Sequence, residues 1–270
     1  MKLFKLKKHS IEVYDCAGLT MSYFKLKHLQ KELIEIGKQS LDEIPNYQCF
    51  SKDMKDFDRL IISVARNKNG KAIAFCSSYV LEAGELGQIL HLGLTCIGPE
   101  ARGLGLTHKL TSKVIYRYFT HHAKLGSFWV SNVACVLSSL GNVALHFEDV
   151  YPSPFSSAPT DRHKELANLI NKNYRKELFI NSSSTFDSDK FIFQGSVKGT
   201  TFQKEAENIQ FHHRDQEVND FFKNIMNFSN GDEVLQIGRV SLMSYPKYLL
   251  RNRKNKVKQA HEIKQNLNVA

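Results

Sequence analysis

The chain of 270 residues carries 37 Lys+Arg against 27 Asp+Glu, and a formal charge of +10 invites a nucleic-acid or membrane-surface reading. The excess sits in the ends: residues 1–9 hold four lysines and no acid, residues 246–270 hold seven Lys+Arg and one Glu, and 10–245 balances 26 bases with 26 acids. A neutral body argues against a nucleic-acid-binding fold, and the absence of an apolar run of about 18 residues argues against a membrane span.

The first element is expected over 19–41, where Leu26, Leu29, Leu33 and Ile36 follow helical spacing and Gly37 and Pro45 mark the end. Two β-rich runs over 59–82 flank Asn69-Gly70, a strong hairpin signal. Glu82 to Glu85 read as a turn into a third strand, 86–97, which makes three successive antiparallel strands. Strict alternation puts Ile89, His91, Gly93, Thr95 and Ile97 on one face of that strand and Leu90, Leu92, Leu94 and Cys96 on the other. Gly98-Pro99 ends it. Leu106, Leu110, Val114, Ile115 and Tyr118 then form a helical stripe, followed by a strand at 127–133 and a helix through 134–148.

Beyond Tyr151-Pro152 the pattern loosens. A loop at 153–160 leads to a helix over 162–178 with Asp161 as its N-cap, and a second loop covers 181–189. A strand at 191–197, a helix at 215–228, a break at Asn230-Gly231-Asp232 and a strand at 233–243 complete the body. The fold class is therefore α+β, with a mixed, mostly antiparallel central sheet flanked by helices. The expected domain spans 10–245, with a core at 10–151, an elaborated part at 152–245 and a basic tail at 246–270.

Chemistry concentrates at Pro99-Glu100-Ala101-Arg102-Gly103-Leu104-Gly105-Leu106-Thr107, between an apolar strand and a helix. Two close glycines let the backbone turn tightly and approach a ligand without a Cβ in the way. The exposed N–H groups and the dipole of the helix's first turn favour a phosphate or pyrophosphate, and Arg102 adds a charge. A P-loop is excluded because Gly-Lys-Ser/Thr is absent, and a Rossmann turn fits poorly because the third glycine is missing.

This run resembles the acyl-CoA-binding motif of the GNAT superfamily of N-acyltransferases, Arg/Gln-x-x-Gly-x-Gly/Ala. Arg102 and Gly105 stand at its first and central positions, and Thr107 stands where Gly or Ala is usual. The order of elements resembles the family over about 10–151, and the strands at 191–197 and 233–241 would be its last two, separated by long insertions. The resemblance implies transfer of an acyl group, most often acetyl, from acyl-CoA to an amine, and the histidine spacing gives no reason to expect a metal. The pyrophosphate would lie on the amides from Gly103 to Thr107, including Leu104 and Leu106. The pantetheine arm would run beside Leu94 and Cys96, and the thioester would sit where the strands 86–97 and 127–133 splay apart. The alternative is a non-catalytic CoA-binding or interaction module of the same fold.

The amine needs a base. Counting back from the bend selects His91, with Glu82 and Glu85 as groups that could relay a proton through water. Many relatives use a helix tyrosine as the acid for the leaving thiolate. No Tyr occurs in 132–148, so Tyr151 is the choice, with Ser138, Ser139 and His146 as polar alternatives. Cys135 reads as a buried thiol rather than a nucleophile. His121-His122 and His212-His213 lack metal-ligand spacing. The acceptor side is expected from about 19–50 and from the insertions within 152–232. Five widely spaced cysteines without CxxC point to a reducing, cytoplasmic setting, and the basic start lacks the apolar stretch of a secretory signal. The partners expected are acyl-CoA and an amine acceptor, with the tail free to dock on an acidic surface.

Overall fold

The computed structural model describes residues 9–244, so the basic tail expected over 246–270 lies outside the described residues. The chain begins with strand β1 (His9–Asp15), a one-turn helix α1 (Ala17–Thr20) and helix α2 (Tyr23–Lys38). Strands β2 (Leu60–Asn67), β3 (Ala72–Glu82) and β4 (Gln88–Ile97) follow as the expected antiparallel meander. At the β2–β3 turn, Asn67 Oδ1 accepts from the amides of Asn69 and Lys71, and Gly70 takes φ +77°. Helix α3 (Leu106–His121) leads to β5 (Phe128–Ala134), helix α4 (Leu137–His146) and β6 (Glu148–Tyr151). The second half contributes α5 (Asp161–Asn173), β7 (Thr185–Asp187), β8 (Ile192–Gln194), α6 (Gln216–Ile225) and β9 (Glu233–Val240).

The strands form one sheet in the order β1-β2-β3-β4-β5-β9-β8-β7, with β6 sharing the outer edge of β9 with β8. Among the described strands, β4 and β5 are the parallel neighbours, and α3 supplies the crossover between them. This is the mixed, mostly antiparallel α+β architecture read from the sequence. Helices α2 and α5 cover one face, where Leu33, Leu166 and Ile170 pack with Phe75 and Ile62. Helix α3 covers the other, where Leu110, Val114 and Tyr118 pack with Leu90 and Val130. Helices α4 and α6 close a third cluster around Leu140, Phe222 and Val234.

Several local expectations are corrected. The helix after the second-half loop is capped by Thr160, not Asp161; Thr160 Oγ1 accepts from the amide of His163, and His163 Nδ1 accepts in return from the amide of Thr160. The expected loop 181–189 contains β7, and β1 and β6 are additional. Strand β1 is held by its outward residues: Glu12 and Tyr14 both bond Arg66, whose guanidinium also forms a two-point pair with Glu32 of α2.

The most consequential correction concerns β4. Its register with β3 shifts between Cys76 and Ser78, so Gly93 and Leu94 together face Ser77. Ser77 Oγ donates to Leu94 O at 3.2 Å. This bulge reverses the alternation beyond it. Leu94 and Cys96 join Ile89 on the α2 side, and Ile97 joins Leu90 on the α3 side.

Candidate active site

The parallel pairing of β4 with β5 runs from Ile89↔Trp129 to Leu92↔Asn132 and stops there. Past that point β4 bulges, while β5 continues to Ala134 paired only with β9. A cleft opens between the strands, part of a cavity of about 2310 Å³ that also runs along α3 to β1 and to residues 240–244. Leu92 to Thr95 form one wall and Asn132 to Val136 the other. Residues of both sheet faces line it, so the gap joins the α3 side to the α2/α5 side. Asn132 is anchored at the fork: its amide donates to Gln236 Oε1, and Gln236 Nε2 donates to the carbonyls of Leu140 and Pro152. A buried network of this kind ties β5, β9 and α4 together.

On the α3 side the mouth is built from consecutive residues. A single helical turn at Pro99–Ala101 is followed by Gly103 at φ +76° and Gly105 at φ +64°. A Cβ at either glycine would meet nothing within 4 Å, so the left-handed backbone, not crowding, is what calls for glycine. Gly105 is the N-cap of α3 and no side chain caps the helix. Its first amides therefore remain available to an anion, with the helix dipole behind them. Thr107, His108 and Thr111 of α3 face Ser138, Ser139 and Asn142 of α4 across the opening.

On the far side the cleft ends among residues distant in sequence: Tyr47, Leu178, Phe179, Phe202 and Glu233. The rings of Tyr47, Phe179 and Phe202 contact one another at centroid distances of 6.3, 6.5 and 5.9 Å. Glu233 starts β9 and is only 9 % exposed. Burial pushes its carboxyl up to about 7, against a smaller opposing effect of the Ser196 hydroxyl, which donates to Oε2 at 2.6 Å.

The expected residues divide sharply. Leu94, Leu104 and Thr107 line the cleft, and Gly103 and Gly105 shape its mouth. Leu106 turns its side chain into the α3 core, so its amide is what faces the mouth. Arg102 is exposed beside the turn, and Cys96 is buried in the α2-side core away from the cleft wall.

The four expected proton-transfer groups do not line the cleft. His91 is 1 % exposed, its Nδ1 lies 3.0 Å from Ser131 Oγ, and burial pushes its pKa down to about 3. A neutral imidazole held that low is a poor base near pH 7. Tyr151 packs edge-on against Phe191 and donates its hydroxyl to Asp189 O. Glu82 and Glu85 lie at the opposite end of β4, where Glu82 accepts from Gln88 and its backbone is bonded by the Tyr174 hydroxyl. Of the polar alternatives, Ser138, Ser139 and His146 do line the cleft. The Cys135 thiol donates to Phe202 O, and burial pushes it up to about 12, so it stays protonated.

Glu233 lines the cleft and was not singled out from the sequence. Its one visible signal was a carboxylate directly before an apolar strand, which is too common to single out.

No protein-family model and no curated protein matches the chain. Solved structures similar to it include acetyltransferases. One is a GNAT family N-acetyltransferase, YhbS, from Escherichia coli in complex with CoA, at 14 % identity over 47 % of this chain and 63 % of that one, with a TM-score of 0.36. Another is an aminoglycoside acetyltransferase from an uncultured soil metagenomic sample, at 20 % identity over 42 % and 71 %, with a TM-score of 0.28. A third is a predicted acetyltransferase from Clostridium acetobutylicum with acetyl-CoA, at 15 % identity over 42 % and 74 %, with a TM-score of 0.29. The match thus spans 63 % of the length of the Escherichia coli enzyme. At such identities and TM-scores the likeness carries no argument of its own, and what the cleft can bind follows from its own residues.

Proposed function

We propose that this chain is an acyl-CoA-dependent N-acyltransferase that moves an acyl group, most simply acetyl, from the thioester to an amine by direct attack. The carrying observation is the cleft where β4 bulges away from β5, with the uncapped N-terminus of α3 at its mouth. In this reading the pyrophosphate rests on the amides of Gly103 to Thr107, with Arg102 adding a charge from outside. The pantetheine arm passes Leu94 between α3 and α4, edge to edge with β4. That edge has lost its strand partner, so its free backbone groups suit an amide-bearing chain. The thioester then reaches the fork, and the acceptor enters from the α2/α5 side.

Isothermal calorimetry with acetyl-CoA tests the reading, with an expected Kd below about 1 mM, the upper range of ordinary substrate affinities. No binding up to that concentration, with acetyl- or longer acyl-CoA, overturns it. One observation favours a second reading, a non-catalytic CoA-binding module: the base and acid expected from sequence stand outside the cleft. Binding of acetyl-CoA without CoA release across a broad amine panel would select the module.

A further inference from the structure

The far end of the cleft carries more than space. Tyr47 comes from the loop after α2, Phe179 from the turns after α5, Phe202 from the turns after β8, and Glu233 from the start of β9. Three aromatic rings in mutual contact present π-faces and edges, and ring faces attract cations within about 6 Å. Beside them stands a carboxyl group more than nine-tenths buried. Ser196 occupies Oε2, while Oε1 takes no hydrogen bond from the described residues. Oε1 is not among the buried side-chain atoms sealed off without a partner, so it stays accessible to a donor that enters the cleft.

We propose that this end is the acceptor subsite, that it takes a primary alkylammonium against the three-ring wall, and that Glu233 removes the ammonium proton. The proposal rests on the acyl-CoA reading of the same cleft. One proton passes from R–NH3+ to the Glu233 carboxylate and on to solvent. The nitrogen lone pair attacks the thioester carbonyl carbon, the tetrahedral adduct expels the CoA thiolate, and the second nitrogen proton goes to that thiolate. The products are the amide and CoA, with one proton released, so charge and atoms balance.

The groups facing Glu233 agree with this role. Tyr47 and Cys135 are the ionisable neighbours whose titration feels it, and burial holds both of them protonated and neutral. Lys204 also lines the cleft, but its ammonium is turned to Thr201 O and lies 5.3 Å from the Phe211 ring centre. The adjacent Asp232 is consumed by the amides of Gly195 and Asn227 and by the Asn230 side chain. Glu233 is therefore the carboxylate left to meet an incoming ammonium there.

The test compares the full-length chain with Glu233→Gln, using n-butylamine and acetyl-CoA as probes. Acetyl-CoA affinity by calorimetry should agree within about twofold between the two proteins, because the cofactor mouth does not include residue 233. Turnover of n-butylamine should fall by about 100-fold in the variant, the scale of one lost general base. The wild-type kcat/KM should rise with pH through a limb near 7 that the variant lacks. Glu233→Asp, which keeps the carboxylate, should retain that limb, and a Glu233→Gln melting curve as steep as wild type excludes misfolding.

An unchanged pH limb in Glu233→Gln, or turnover restricted to neutral and anionic acceptors, overturns the proposal. If wild type binds no acyl-CoA, the broader reading fails first. The subsite is then judged by n-butylamine calorimetry alone: binding lost in Glu233→Gln supports it, and equal or absent binding in both proteins refutes it.

Discussion

The two ends of the cleft are built in opposite ways. The α3 mouth is a run of consecutive residues whose useful groups are backbone amides, set by two glycines in the left-handed region and an uncapped helix start. The α2/α5 end is assembled from Tyr47, Phe179, Phe202 and Glu233, which span more than half the chain and act through their side chains. A site made of backbone depends on local conformation and tolerates most side-chain changes. A site made of converging side chains depends on how the long second half packs, and single substitutions should alter what it accepts. The two ends should therefore be separable by mutation.

Between about pH 5 and pH 8 the largest effect expected is on stability. Glu233 has a carboxyl raised to about 7 in the fold, against an unfolded value near 4.5. The native state keeps its proton over that window while the unfolded chain loses it, so this group's contribution is full below pH 4.5 and is lost as pH rises through 7. Above pH 8 the difference is about 3 kcal/mol. Glu233→Gln should recover an amount of that order in urea melts at pH 8 and little at pH 4.5. Equal gains at both would show that the carboxyl is not strained by burial.

Close behind comes Gly105→Val, which forces a β-branched residue to φ +64°. A cost of about 2–3 kcal/mol is expected, read as roughly 30- to 150-fold weaker acetyl-CoA binding or a matching loss of stability. The KM for the amine at saturating acetyl-CoA should not move. If it does, the two ends are not separate.

His91 has the reverse pH sign. Its folded pKa is depressed from 6.5 to about 3, so its contribution is present above 6.5 and declines as pH falls toward 3, by about 1.4 kcal/mol per unit. His91→Phe should flatten the acid side of the stability profile and leave the limb near 7 in kcat/KM intact. Loss of that limb would return the base role to His91.

Smaller still is Phe202→Leu, which removes one ring of the wall. A loss of about 0.5–1 kcal/mol predicts a several-fold higher amine KM with acetyl-CoA affinity unchanged. Arg102→Gln should be the weakest, because the side chain is exposed: at most about 1 kcal/mol in acetyl-CoA affinity, fading as salt is raised.

Much of the framework was legible from the chain. Asn69-Gly70 marked the hairpin, the stripe from Leu106 to Tyr118 marked α3, and Gly103 and Gly105 marked the turn before it, because each is written within a few residues. The face of β4 was misread at Leu94 and Cys96, since a bulge depends on what β3 places opposite, and alternation alone cannot register an extra residue. The choice of His91 met a related limit. Counting along a strand locates a residue but not its depth, and only the packed sheet shows that the imidazole is sealed against Ser131.

By itself, then, the sequence determined the α+β class, the meander, the crossover helix and an anion-receptive turn, all of them products of periodicity, glycine conformation and helix polarity acting over short range. Only the tertiary structure decided where β4 leaves β5, which candidate groups reach the cleft, and that Glu233 closes its far end beside three rings. Those outcomes depend on contacts between residues as far apart as 47 and 233, and no local pattern encodes the distance across a fold.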